Sequence, residues 1–213
     1  LYLAESANGY TIRYHDKAGN HLGDQGATYD QGLTLWGDPN RTGTGYTAQG
    51  WARSANQTAR AWSFGQGVSN LATGGSINLY VAETANAYNV RYFDKAGNHI
   101  GTDQKAYDAW FNLRGDPGRT HPAYTARGWA RSANQTGASH AFGLWTRNLA
   151  SAQGANFDLY VAETANTYSI SYDTAGGQLS GQRAEYTFEA ADFRLAEPTR
   201  VGYAFAGWEV SGA

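Results

Sequence analysis

The residues in this chain that could do chemistry are few, and most of them come in duplicate. The five histidines are His15, His21, His99, His121 and His140, and no two show the HxH or HxxxH spacing that turns a pair toward one metal ion. His21 and His99 occupy the same turn in two related segments, which marks them as surface turn residues. The absence of cysteine removes thiol nucleophiles, disulfides and thiolate metal sites. Asp16 and Asp94, like Glu83 and Glu163, are carboxylates at repeated positions. Acid–base catalysis needs two groups converging in one cleft, so these read as turn aspartates and strand-end glutamates. Asn56-Gln57-Thr58 and Asn134-Gln135-Thr136 fit the N-glycosylation acceptor pattern and read as polar loops bonded to nearby backbone. No residue is assigned to catalysis, to a metal or to a cofactor.

Tryptophan is the richer signal. Of seven, Trp51, Trp129 and Trp208 recur in phase and read as core anchors. The other four fall where aligned segments disagree: Trp36 against Arg114, Trp62 against His140, Trp110 against Gly32 and Trp145 against Gly67. A packed core does not exchange Trp for Gly or Arg without a cavity or a buried charge. These four positions are therefore expected to be exposed or at seams between segments. Exposed indoles stack on sugar rings or anchor protein partners. Trp36, Trp62, Trp110 and Trp145 are the candidate ligand-binding residues, with half-buried surface aromatics that bind nothing an equally open reading.

The phasing comes from internal repetition, the dominant feature of the sequence. Leu1-Tyr2-Leu3-Ala4-Glu5 recurs as Leu79 to Glu83 and as Leu159 to Glu163, and the run GWARSANQT is identical at 50–58 and 128–136. About three copies follow one another: residues 9–83, 87–163 and 167–213, the last short of a closing strand. Residues 1–5 look like the closing strand of a preceding copy, and the chain is expected to be an interior stretch of something longer. A period of roughly 80 residues exceeds solenoid units and suits beads with separate cores. The three-residue links Ser6-Ala7-Asn8, Thr84-Ala85-Asn86 and Thr164-Ala165-Asn166 hold neighbours close, as in a semi-rigid rod.

Composition narrows the class. Hydrophobic residues make up 41% and aromatics 14%, enough for packed cores, and 27 glycines suit short strands joined by turns. A net charge of −2, with basic residues scattered, argues against nucleic acid or anionic membrane as partner. No window is apolar enough to span a bilayer as a helix.

Within each copy, Tyr10 to Tyr14, Tyr88 to Tyr92 and Tyr168 to Tyr172 alternate with period two and predict strands. Asp16 to Asn20 predicts a turn, and a second strand around Gly26 to Tyr29 completes a hairpin. Gly37-Asp38-Pro39 and Gly115-Asp116-Pro117 break any strand, and the segment ending in each recurrent Trp predicts another. Phe64, Val68 and Leu71 fall at i, i+4 and i+7, which predicts a short amphipathic helix, with Phe142 and Leu149 repeating the frame. The Leu-Tyr-Val-Ala-Glu strand closes the unit. The expected fold class is α+β, each unit a mixed sheet crossed by one short helix.

The run Gly45-Tyr46-Thr47-Ala48-Gln49-Gly50-Trp51, with its Tyr-led strand, Asp-Pro and closing Leu-Tyr-x-Ala, resembles the Listeria–Bacteroides repeat, also called the internalin B-repeat. The third copy, from Glu197 to Trp208, is nearest to the usual form; the second has Ala123 in place of the first Gly, and Ala48 and Ala126 stand where an aromatic is common. The resemblance implies tandem β-grasp-like (ubiquitin-like) units on secreted or wall-attached bacterial proteins, and it implies no catalytic residues. The expected role is a non-catalytic spacer or stalk and adhesion segment, contacting a protein or glycan of a host or neighbouring cell. The alternative is an accessory glycan-binding module of a secreted carbohydrate-active enzyme. Leu1–Glu5 could also pair head to tail with the open edge of a third copy in another chain.

Overall fold

Alternating apolar residues build the sheets of a computed structural model that describes residues 3–210. In the first copy the strands are β1 (Gly9–His15), β2 (His21–Thr28), β3 (Leu33–Thr34), β4 (Tyr46–Ala52), β5 (Gly67–Val68) and β6 (Gly75–Ala85). The main sheet has the order β2-β1-β6-β4. β1 and β2 form the expected hairpin around the Asp16–Asn20 turn, β1 runs parallel to β6, and β4 closes antiparallel on β6. Tyr10, Ile12 and Tyr14 point one way from β1 and meet Leu79 and Val81 of β6, with Leu35 and Trp51 completing a buried core. β3 and β5 pair in a small separate ribbon.

The second copy repeats the plan with β7 (Ala87–Phe93), β8 (His99–Ala106), β9 (Phe111–Asn112), β10 (Tyr124–Ala130), β11 (Trp145–Thr146) and β12 (Asn156–Ala165), in the sheet order β10-β12-β7-β8. The closing register is the same in both copies: Tyr46 faces Ala85 and Trp51 faces Val81, as Tyr124 faces Ala165 and Trp129 faces Val161. Among the described residues the third copy forms only β13 (Thr167–Ser169) and β14 (Glu185–Thr187), paired antiparallel. Its expected Tyr168 to Tyr172 strand is thus shorter than predicted. The chain divides into two compact units: Leu1–Arg91 with Ile100–Leu113 and Trp145–Asp158, and Tyr92–His99 with Arg114–Leu144 and Leu159–Ala213. The division runs through the second copy. Leu1 and Tyr2 of the expected orphan strand lie outside the described residues, and Leu3 to Glu5 are exposed and not in a strand.

The α+β expectation is corrected here. Among the described residues there is no helix, so the class is all-β, and the β-grasp-like expectation, which needs a helix across the sheet, falls with it. The backbone explains why. Within the expected helix Gly65 adopts φ 69 and Asn70 φ 55, as Gly143 adopts 69 and Asn148 57 in the second copy. Two left-handed residues inside so short a window break any helical run. The apolar spacing had a different cause. Phe64 meets Trp51 edge-on at 5.3 Å, while Val68 and Leu71 lie against the same core from turns and the short β5.

Trp51 and Trp129 are fully buried. Each indole rests on the last tyrosine of the first strand, Tyr14 at 4.6 Å and Tyr92 at 4.9 Å, and donates its N–H to a carbonyl, that of Trp36 or Arg114, at 2.9 Å. Trp208 is half-buried but keeps both contacts, with the Tyr172 ring at 5.3 Å and the Ala196 carbonyl at 3.1 Å. The preceding glycine has its own reason. Gly50 and Gly128 sit at bulges with φ 143 and 137, and a Cβ there would lie 2.3 Å from the Trp62 carbonyl oxygen or 2.5 Å from that of His140. Those two residues bridge back to the tryptophan itself.

Trp129→Ala should cost about 3–5 kcal/mol, the range for emptying a fully buried aromatic site. Gly128→Ala should cost about 1–3 kcal/mol through forced backbone strain. Thermal melts check both, against Gly26→Ala, where nothing lies within 4 Å of the added methyl. Wild-type melting of either Trp129→Ala or Gly128→Ala would contradict this account of the Gly-Trp pair.

Candidate functional site

Two surface features go beyond folding: a polar joint that the chain builds twice, and one pair of exposed indoles. The joint starts at the asparagine that ends each link. Asn86 donates its backbone N–H to the Gly45 carbonyl (2.8 Å) and its side-chain amide to the Ser151 carbonyl (2.7 Å). Its side-chain oxygen accepts from Thr47 Oγ1 at 2.5 Å, and its own carbonyl accepts from the Tyr107 N–H at 2.8 Å. Every polar group of a buried asparagine is thereby engaged.

Around that residue the first copy offers a tyrosine corner and the second a receiving face. The Tyr46 ring meets Tyr107 edge-on at 5.8 Å, and its hydroxyl donates to Asp108 Oδ2 at 2.6 Å. Lys17 Nζ lies 4.0 Å over the Tyr46 ring and 3.8 Å from the buried Glu83 carboxylate. Gly45 has φ 83, and a Cβ there would lie 2.3 Å from the Tyr107 ring. Asp108 is held from behind, since its N–H donates to Asn148 Oδ1 (2.6 Å) and Asn148 Nδ2 donates to its carboxylate (2.7 Å). The Tyr46 hydroxyl, then Asn148, hold the Asp108 carboxyl below the ordinary range, with Arg147 adding to the effect.

The second and third copies meet in much the same way, except that the Asn166 side-chain amide donates to the Pro122 carbonyl (2.9 Å). Asn166 donates its N–H to the Ala123 carbonyl (2.8 Å), accepts from Thr125 Oγ1 (2.6 Å) and takes the Phe188 N–H on its carbonyl (3.2 Å). Tyr124 meets Phe188 edge-on at 5.5 Å and hydrogen-bonds Glu189, while Lys95 lies 4.0 Å over the Tyr124 ring and 3.8 Å from Glu189. Tyr107 is thus matched by Phe188 and Asp108 by Glu189, substitutions that keep the ring and the charge. The buried methyl of Ala123 stands where the first copy has Gly45.

The duplicated loop explains how the lysine is placed. Asn56 at φ 60 donates its N–H to the Lys17 carbonyl at 3.0 Å, and the Gln57 carbonyl accepts the Glu83 N–H at 3.2 Å. Asn134 and Gln135 do the same for Lys95 and Glu163. The Asp16–Asn20 turn is braced in turn. Desolvation pushes the Asp16 carboxyl up, but hydrogen bonds from the Asn20 side chain and from the Asn20, Gly19 and Ala18 backbone prevail and hold it low; Asp94 is set alike by Asn98.

The four candidate tryptophans divide two and two. Trp36 is half-buried, stacked on Tyr14 at 4.3 Å and 12°, and in the second copy the Arg114 guanidinium covers the equivalent Tyr92 ring at 4.9 Å. Trp and Arg are exchangeable there because either lays a flat group on one tyrosine face. Trp62 is half-buried against the first core, with Arg53 over its ring at 4.7 Å. Trp110 and Trp145 are 52% and 58% exposed and lie parallel, 5.8 Å apart at 8°, on the ribbon formed by β9 and β11. Arg147 lies 4.8 Å from the Trp110 ring and 3.8 Å from Asp108. The structure brings these two together and keeps the other two as flanks of cores.

Among the described residues no group of three or more His, Asp or Glu could hold a metal ion, and no helix is long and apolar enough to cross a membrane. No curated protein matches the chain. A comparison with protein families matches residues 10–81 and 168–211 to the Listeria-Bacteroides repeat domain, more than half of the sequence. The second copy shares with the first the identical runs GWARSANQT and DKAGNH. The chain belongs to the Listeria–Bacteroides repeat domain family, a repeat module of bacterial surface proteins.

Proposed function

We propose that these repeats serve as a non-catalytic spacer and interaction segment of a secreted or wall-attached bacterial surface protein. One observation supports this above the others: the same joint, with Lys, Tyr, Asn and an acid in the same roles, is built at both Asn86 and Asn166. A chain that needed only tethered domains would have no use for two matching polar joints. A spacer does, because a fixed joint keeps neighbours from folding back and presents whatever they carry at a set interval. The partner in this reading is a protein or glycan of a host or neighbouring cell.

A second reading is favoured by the Trp110–Trp145 pair. Two parallel exposed indoles beside Arg147 and Asp108 supply stacking faces and hydroxyl partners, the needs of a sugar-binding platform. The first copy forms the equivalent β3–β5 ribbon with Gly32 and Gly67 at these positions, so the indoles are not required by the fold.

The joints can be tested on the intact chain. Tyr46→Phe removes the hydroxyl that reaches Asp108 and should raise amide exchange at Asn86 several-fold while leaving Asn166 unchanged; equal protection in variant and parent would argue against the joint. The acid dependence has a defined sign. A carboxyl whose folded pKa is depressed stabilises at pH above its unfolded value, and the contribution fades as pH falls through the folded one. Protection at Asn86, corrected for intrinsic exchange, should therefore be full at neutral pH and fall below the ordinary aspartate range, and Asp108→Asn should flatten that dependence. For the second reading, glycan-array binding should vanish in Trp110→Ala/Trp145→Ala with the melting temperature nearly unchanged. Binding that survives the double substitution, or none in the parent, would exclude the platform.

A further inference from the structure

The first copy carries the receiving half of this joint, already formed. Asn8 is the counterpart of Asn86 and Asn166, Tyr29 of Tyr107 and Phe188, and Asp30 of Asp108 and Glu189. The local geometry is the same. Asp30 adopts φ 60 against 61 for Asp108, its N–H donates to Asn70 Oδ1 at 2.6 Å, and Asn70 Nδ2 returns to its carboxylate at 2.9 Å. The Tyr29 N–H donates to the Asn8 carbonyl at 2.8 Å, as the Tyr107 N–H does to that of Asn86. Asn8 Nδ2 reaches the Thr73 carbonyl at 3.2 Å, the role that the Ser151 carbonyl plays for Asn86.

What differs is the other side. Among the described residues, no carbonyl accepts the Asn8 N–H, no hydroxyl meets its side-chain oxygen and no tyrosine meets Asp30. An open cleft of about 480 Å³ lies there, lined by Ala7, Asn8, Tyr29, Asp30 and Thr73 among others. Leu3 to Ala7, the counterpart of Val81 to Ala85, is exposed and not in a strand, where Val81 to Ala85 is paired to β4.

We propose that this face, centred on Asn8, Tyr29 and Asp30, is a docking surface for the Lys–Gly–Tyr corner of another copy of the same repeat, placed ahead of it in one chain. The incoming tyrosine hydroxyl donates to Asp30 and its ring meets Tyr29 edge-on. The carbonyl of the glycine before it accepts the Asn8 N–H, and the following threonine donates to the Asn8 side-chain oxygen. Leu3 to Ala7 becomes the end of the incoming copy's closing strand, antiparallel to its Tyr-Thr-Ala segment. Charge suits the fit, since the incoming lysine would lie beside Glu5, the counterpart of Glu83. The proposal rests on the joints described above, which report on themselves in the same experiment.

The test replaces Leu1–Ala7 by a duplicate of Asn8–Ala85, so that an added first copy with its own closing strand precedes Asn8, and follows amide exchange by NMR in parent and extended chains. In the parent, Asn86 and Asn166 should be protected and Asn8 should not. In the extended chain, Asn8 should slow at least tenfold, toward the level of Asn86. Asp30→Ala in the extended chain should return Asn8 toward its parent rate without touching Asn86. Rapid exchange at Asn8 in the extended chain, beside protected Asn86 and Asn166, overturns this inference and leaves the joints standing. Rapid exchange at all three overturns both, and protection of Asn8 already in the parent shows that the face is not open. A second extended chain carries Asn86–Ala165 as the added copy; if neither added copy folds, as read from its tryptophan ring signals, the face does not accept a repeat and the proposal falls.

Discussion

The structure hangs on the glycine–tryptophan pair at the bulge in β4 and in its counterpart, β10. Burying an indole removes roughly 150–250 Å² from water, a large share of what so small a core can supply. The ring can enter only if its N–H finds an acceptor, and the carbonyl of Trp36 or Arg114 provides one. The bulge then aims the side chain inward while the neighbouring backbone crosses close to residue 62 or 140. That crossing leaves no room for a Cβ, so the glycine and the tryptophan are one requirement expressed at two positions. The third copy shows the same contacts around Trp208 with less burial, and among the described residues it has the fewest strands of the three.

What the sequence revealed was what side-chain alternation controls. Tyr10, Ile12 and Tyr14 are apolar on every second residue, and a period of two admits only a strand once one face is buried. The false helix came from the opposite situation. Phe64, Val68 and Leu71 keep helical spacing, yet Gly65 and Asn70 each take a left-handed backbone that no helix holds. Apolar spacing reports which residues reach the core and not the path between them. The asparagine and glycines in that window were the better guide, because they mark where φ turns positive.

The site was legible in pieces. Asn8, Asn86 and Asn166 stood out as repeated residues, but the lysine, tyrosine and acid that meet there are far apart in sequence. Lys17, Tyr46 and Asp108 come from a turn, a strand end and the next copy. One signal was present. Where the second and third copies diverge, Tyr107 becomes Phe188 and Asp108 becomes Glu189, so ring and charge are kept while much of the surroundings changes. The exchange of Trp36 for Arg114 has a physical cause as well: both lay a flat group on a tyrosine face, so the half-buried position accepts either.

Comparing copies within one chain separates residues that serve the fold from those that serve something else. Each tryptophan at a bulge is kept, with its tyrosine and carbonyl partners, because nothing else satisfies that corner. The joint residues change only within type, as expected where a ring edge and a carboxylate are needed but their exact size is not. Trp110 and Trp145 obey neither rule, since glycine occupies both places in the first copy and the same ribbon forms without them. Holding two large apolar rings in water gains the fold little and invites unwanted association. Their exposure, their parallel faces and the neighbouring Arg147 set them apart from the residues that the fold and the joints account for.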